Sequence, residues 1–128
     1  SLGAALTGPA EDHLALAAMA WPVLTRPEAD PAFALFFEAN GLAAAGREPY
    51  RELVTVLLDG WVAWVAEHLH GPPAQRRAEA EAAIALLDGL LLLRQLGGPD
   101  AAERAARRLG IRRAGGPAAR RASRPSPS

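Results

Sequence analysis

The sequence has no cysteine and no lysine, and serine, threonine and tyrosine are scarce. Without cysteine there can be no disulfide and no thiolate metal site. No serine occurs between Ser1 and Ser123, and the only tyrosine is Tyr50. The sequence therefore offers no Ser-His-Asp triad and no Cys-His pair. It also contains no glycine-rich phosphate-binding loop. We predict that the chain is not an enzyme and carries no cofactor.

Long apolar runs are also missing. No stretch reaches the roughly 18 consecutive apolar residues that a membrane span needs, and the run from 82 to 93 is interrupted by Asp88. The N-terminus shows no basic region followed by an apolar run, so no signal peptide is visible. We expect a cytoplasmic protein without a membrane partner.

The sequence spacing of the three histidines does not suit a metal site. His68 and His70 are two residues apart, which splays them on a helix, and His13 stands alone. Zinc bound by a helix favours ligands on one face, at positions i and i+4. We therefore predict surface or helix-end histidines and no bound metal.

The net charge of zero conceals an uneven distribution. All fourteen acidic residues lie within residues 1–103, whereas residues 104–128 hold eight of the fourteen arginines and no acid. An acidic surface repels phosphate, so the body of the chain is a poor nucleic-acid surface. Residues 112–128 hold no large apolar side chain, which predicts a disordered tail. A nucleic-acid-binding arm is the alternative for that tail.

The residues that are abundant, alanine and leucine, favour helices. Proline, glycine and aspartate divide the chain into five predicted helices, at about 9–25, 30–46, 49–69, 74–96 and 100–109. Pro22 is expected to kink or end the first helix after Trp21, and Asp30 to be the N-cap of the second. Asn40-Gly41 could break the second helix early. The domains expected are a flexible segment 1–8, a helical domain 9–111 and the tail 112–128.

The fourth predicted helix is apolar on almost every side. If the chain were a monomer, Ile84, Leu91 and Leu92 would face water beside Asp88. Leaving these three side chains exposed would give up roughly 5–9 kcal/mol of hydrophobic stabilisation. A second copy would cover this stripe, and Gly89 would permit close approach of its backbone. Asp88 would then need an arginine from the fifth helix or from the second subunit. The predicted dimer interface consists of Ile84, Asp88, Gly89, Leu91, Leu92, Gln95, Ala102, Ala105, Ala106 and Leu109.

Residues 57–60 repeat the Leu-Leu-Asp-Gly of residues 86–89. On the third predicted helix, Asp59 falls on a narrow polar stripe with Glu52 and Glu67. We interpret Asp59 as a solvated surface residue, and the repeat as a coincidence between two amphipathic helices.

Aromatic residues concentrate in the first three predicted helices. Pockets between bundle helices commonly hold apolar small molecules, so this cluster is a candidate effector site, with core packing as the alternative for each residue. The candidate ligand-binding residues are Met19, Trp21, Phe33, Phe36, Phe37, Trp61, Trp64, Val65 and His68.

The order of these segments resembles the C-terminal, ligand-binding and dimerisation half of tetracycline-repressor (TetR) family transcription regulators. The resemblance rests on FFEANGLAAAGREPYRELV (36–54), LLDGWVAWVAEHL (57–69) and AAIALLDGLLLLRQLGG (82–98), and it covers about residues 10–111. It implies an all-α five-helix bundle that dimerises through its last two helices and binds a small apolar or aromatic effector. Family members begin with a helix-turn-helix domain, which this sequence does not contain, so operator DNA would be bound only through that missing domain.

Two other hypotheses remain open from the sequence. A helical adaptor bundle would use the fourth helix to hold a different protein and would need no small-molecule ligand. A cofactor-free enzyme is the least supported, because nucleophiles and acid–base pairs are scarce.

Overall fold

The computed structural model describes residues 1–111, and this part of the chain is all-helical, as predicted. An isolated bridge joins Ala10 to Leu69, and no strand forms within the described residues. The helices are α1 (Leu2–Ala5), α2 (His13–Leu24), α3 (Asp30–Ala44), α4 (Tyr50–Ala66), α5 (Pro73–Gly97) and α6 (Pro99–Arg108), with a 3₁₀ turn at Pro27–Ala29. The five predicted helices correspond to α2–α6. The predicted tail, 112–128, lies outside the described residues.

The segment 1–8, expected to be flexible, contains α1. The N–H of Ala4 donates to the Ser1 hydroxyl at 3.3 Å, which caps this short helix. Leu6 is buried just after it, and Leu2 packs against the core. Burial of these two leucines is what holds a segment that is otherwise rich in glycine and alanine.

Helix α2 begins later than predicted and ends close to the predicted position. The Asp12 carboxylate accepts from the N–H of Ala15 at 2.9 Å, so the helix starts at His13 rather than near Pro9. It continues through Pro22 to Leu24, so of the two outcomes expected at Pro22, a kink or an end after Trp21, the end does not occur. The Thr25 hydroxyl donates to the Trp21 carbonyl at 2.8 Å and helps to close the last turn. Burial of Trp21 offsets the hydrogen bond that proline removes.

Helix α3 runs without interruption through Asn40 and Gly41, so the early break does not occur. Asp30 is its first residue rather than its N-cap, because the 3₁₀ turn precedes it directly. The Asp30 carboxylate instead accepts from Arg94 of α5, with Nε at 3.1 Å and Nη2 at 3.3 Å. This pair fixes the start of α3 on α5.

Two clusters of buried side chains make up the core, and α5 contributes to both. It packs against α2, α3, α4 and α6. One cluster lies between α2, the second half of α5 and α6, and consists of Ala17, Ala20, Trp21, Leu87, Leu90, Leu91, Ala102, Ala106 and Ile111. The other joins α2, α4 and the first half of α5, and consists of Leu6, Ala10, Leu16, Val62, Val65, Leu69, Ala80 and Ala83.

No helix within residues 1–111 is long and apolar enough to cross a membrane.

Candidate functional site

The stripe of α5 predicted to bind a second copy is largely covered by the chain itself. Leu91 is buried in the α2–α5–α6 cluster, and Ile84 packs against the cluster that contains Val62. The Gln95 side chain donates from Nε2 to the Asp30 carbonyl at 3.0 Å. Leu91 must therefore be removed from the predicted interface, because α5 turns this side toward its intramolecular neighbours.

The same correction applies to part of α6. Ala102 and Ala106 are fully buried against α2 and α5, where their small side chains let the helices approach closely. The Trp21 indole donates from Nε1 to the Glu103 carboxylate at 3.0 Å and fixes α6 on α2. Ala105 is partly buried and packs against the same cluster. Neither Ala102 nor Ala106 offers surface to a second copy.

The surface that α5 and α6 do expose lies about a quarter turn away from the predicted stripe. It retains Gly89, Leu92 and Leu109 from the prediction and adds residues that the prediction missed. We call this surface the α5–α6 seam and define it as Ala85, Gly89, Leu92, Leu96 and Leu109. The missed signal is a spacing of seven residues, from Ala85 to Leu92 and from Gly89 to Leu96, which is typical of helices that pair along their length.

Asp88 lies beside this seam and is half-buried. Burial raises its pKa to about 6. Among residues 1–111 it has no hydrogen-bond or ion-pair partner, so the arginine expected from the fifth helix is not there within the described chain. A partner from a second subunit stays a prediction.

The nine predicted ligand-binding residues do not line one cavity. Trp21 is buried with Phe33 and Phe37 against the α2–α5–α6 cluster, whereas Met19 and Val65 belong to the other cluster. The three phenylalanines of α3 pack on one another, and the rings of Phe36 and Phe37 lie 5.4 Å apart between centroids. Trp21 is 1% exposed, so it is a core residue, which is the alternative to ligand binding that the sequence left open.

Trp61 and Trp64 do share a site, which is an open groove between α1 and α4. Its volume is about 530 Å³, and the two indoles meet edge to face with centroids 5.7 Å apart. The other residues that line it were not predicted, and they are Leu2, Gly3, Val56, Leu57 and Gly60. The signal for them was present in α4, where Leu53, Val56, Leu57, Gly60, Trp61 and Trp64 repeat at i, i+3, i+4, i+7, i+8 and i+11.

His68 lies at the end of this aromatic row. Its Nδ1 is 2.9 Å from the Trp64 carbonyl, and its ring is 4.5 Å from the Trp64 indole between centroids. His13 bonds elsewhere: its backbone N–H and its Nδ1 both contact one carboxylate oxygen of Glu79, at 2.6 and 2.8 Å. These bonds lower the pKa of Glu79. Within residues 1–111, no group of three or more histidine and acidic side chains could hold a metal ion.

Comparison of the chain with protein-family models, with curated proteins and with solved structures gives no match. Two surfaces of the described chain remain as candidates for function, the α5–α6 seam and the groove along α4.

Proposed function

We propose that this chain is the dimerising, effector-binding domain of a transcriptional repressor of the tetracycline-repressor type. The observation that carries the proposal is the exposed apolar stripe of α5 in an all-α fold, together with the exposed Leu109 directly after α6. The sequence resemblance assigns dimerisation to these two helices. In such a repressor, operator DNA would be bound by a separate helix-turn-helix domain, and none of the residues described here is assigned a DNA contact.

The energetics of the seam favour self-association. Leu96 is 80% exposed, and Leu92 and Leu109 are also exposed. Covering a large aliphatic side chain fully contributes about 1.5–3 kcal/mol, and in a two-fold dimer each contact between unlike residues occurs twice. A Cβ added at Gly89 would meet nothing within 4 Å, so the backbone there is open to another helix. These features together describe a surface suited to a helical partner of the same kind.

The effector site of this proposal includes the groove lined by Trp61 and Trp64. Its volume falls in the range of small-molecule sites, and its lining is apolar. Because the groove is open, a small molecule in it would keep much of its surface in water. An apolar or aromatic effector would therefore bind tightly only if something covered the groove.

The test is the association state of the whole chain in equilibrium sedimentation at roughly tens of micromolar. We expect a dimer, and we expect Leu96→Glu to shift it strongly toward monomer because a carboxylate would have to be buried at the contact. Leu35→Glu is the matched control, since Leu35 is a strongly exposed leucine on α3, outside the seam, at 67% against 80% for Leu96. A wild-type chain that stays monomeric under these conditions would overturn the proposal.

The second candidate function is an adaptor bundle that holds another protein. It is favoured by the exposed apolar face of α4, which lies outside the seam and includes Leu57 and Trp61. A chain that is monomeric, keeps its fold after Leu96→Glu and still binds a helical partner through α4 would favour the adaptor over the repressor domain.

A further inference from the structure

The outer face of α4 carries large apolar side chains that nothing within residues 1–111 covers. Leu53, Val56, Leu57 and Trp61 are each about half exposed or more, and they share one face of the helix. Val62, on the opposite face, and Val65, beside the exposed face, are buried. Monomeric proteins rarely expose a contiguous apolar patch of this kind without a binding role. This face is separate from the α5–α6 seam, so binding to it would not require the proposed dimer.

The shape of the face fits a helix. From Leu53 to Trp64 it runs about 17 Å along α4, which is three helical turns. Leu2 and Gly3 of α1 form the opposite wall of the groove. A Cβ added at Gly3 or at Gly60 would meet nothing within 4 Å, so both walls leave open space at the middle of the groove. A row of side chains from an incoming helix could insert there, as ridges fit into grooves in helix packing.

The charges along the face select the kind of helix. Glu52, Asp59 and Glu67 follow one edge of the apolar face, and all three are exposed. Among residues 1–111, the one basic contact to this edge is Arg77, whose Nη2 lies 3.5 Å from the Asp59 carboxylate. A second copy laid antiparallel on α4 would bring its own acidic edge against this one, and like charges side by side oppose binding. The charge pattern therefore disfavours antiparallel self-pairing and favours a partner with a basic flank.

We propose that the groove along α4 binds a basic amphipathic helix, with leucine-like side chains at i, i+3, i+4 and i+7 and with arginine or lysine along one flank. The apolar row packs over Leu57 and Trp61, and the basic flank pairs with Glu52, Asp59 and Glu67.

The experiment uses the whole chain and two synthetic helical peptides with the same leucine row. One peptide carries arginine on the flank and the other carries glutamate. Binding is followed by tryptophan fluorescence, because burial of the exposed Trp61 shifts its emission to shorter wavelength. We expect the arginine peptide to bind at least about tenfold more tightly, since three exposed charge pairs together contribute roughly that factor.

Two sets of variants locate the site. Val56→Glu should weaken binding of the arginine peptide by at least about tenfold, whereas Leu92→Glu, on the seam, should leave it unchanged. The double variant Glu52→Arg with Glu67→Arg keeps the apolar face and should reverse the preference between the peptides. The proposal is overturned if neither peptide binds, if both bind equally, or if Val56→Glu changes only the self-association of the chain. A normal helical circular-dichroism spectrum is required of each variant.

Discussion

Residues 57–60 and residues 86–89 have the same sequence, Leu-Leu-Asp-Gly, yet they occupy opposite environments. On α4, Leu57 and Leu58 are 50% and 47% exposed, whereas Leu87 on α5 is 7% exposed. Asp59 lies in solvent near Arg77, while Asp88 is half-buried without a partner in the described chain. The tetrapeptide does not decide these outcomes. They follow from the number of neighbours, because α5 packs against four helices and α4 mainly against α3 and α5.

The largest difference in the free energy of unfolding should appear when the second leucine of each tetrapeptide, Leu58 or Leu87, is replaced. Leu87→Ala leaves a cavity between α2, α5 and α6, and we expect it to lower the free energy of unfolding by about 2–4 kcal/mol. Leu58→Ala removes a half-exposed side chain and should cost about 1 kcal/mol or less. Urea unfolding followed by circular dichroism measures both changes. Equal losses at the two positions would mean that α4 is covered in solution as fully as α5.

The contributions of Asp59 and Asp88 to stability should depend on pH in different ways. The pKa of Asp88 is raised from 3.8 to about 6, so the folded state holds this proton more tightly than the unfolded state. Stability from this group is therefore lost as the pH rises from about 4 to about 6. Full linkage across that window would be about 3 kcal/mol, and solvent screening of the half-buried carboxylate reduces it to about 1 kcal/mol.

Asp88→Asn removes this penalty. We expect the variant to be more stable than the wild type by about 1 kcal/mol at a pH near 7.5, and to lose the advantage near pH 4. Asp59→Asn is the control and should change stability by only a few tenths of a kcal/mol at either pH, since Asp59 makes one long, exposed contact. A stability difference for Asp88→Asn that is independent of pH would contradict the assigned burial.

Replacing Gly60 or Gly89 should give the smallest change in stability. The two replacements should nevertheless differ clearly in their effect on self-association. Neither Gly60 nor Gly89 has an atom within 4 Å of an added Cβ, so alanine should stabilise both helices by about 0.5–1 kcal/mol. If a second copy approaches the seam at Gly89, Gly89→Ala should also weaken the dimer in sedimentation, whereas Gly60→Ala should not. Identical behaviour of the two variants in self-association would argue against close approach at Gly89.

The positions of the helices could be predicted from the sequence, because glycine, proline and aspartate mark most of their ends. Predicted α5, at about 74–96, matches Pro73–Gly97 closely. The start of α2 was harder to place, since Glu11 and Asp12 both precede it. Only the hydrogen bond that the Asp12 carboxylate accepts from the N–H of Ala15 identifies Asp12 as the N-cap. Tertiary contacts such as Arg94 with Asp30 decide the rest.

The outward face of α5 could not be predicted in the same way. The helix is apolar on several sides, so periodicity identifies which residues share a face but not which face the other helices cover. The stripe containing Leu91 and Gln95 was expected to face away from the other helices of the chain, but Leu91 is buried and the Gln95 side chain bonds to the Asp30 carbonyl within the chain. On α4 the opposite error occurred: a narrow polar stripe was identified correctly, but the apolar remainder was taken as buried although half of it faces solvent.

The interleaving of the two core clusters has a consequence for how the domain could be divided. A nick between α4 and α5 would leave Trp21 and Val62 on one fragment, and Ala83 and Leu90 on the other. Each cluster draws side chains from both fragments, so neither fragment would retain a complete interior. Neither fragment of this division would therefore be an autonomous folding unit, and we expect the two to acquire structure only by reassembling with each other.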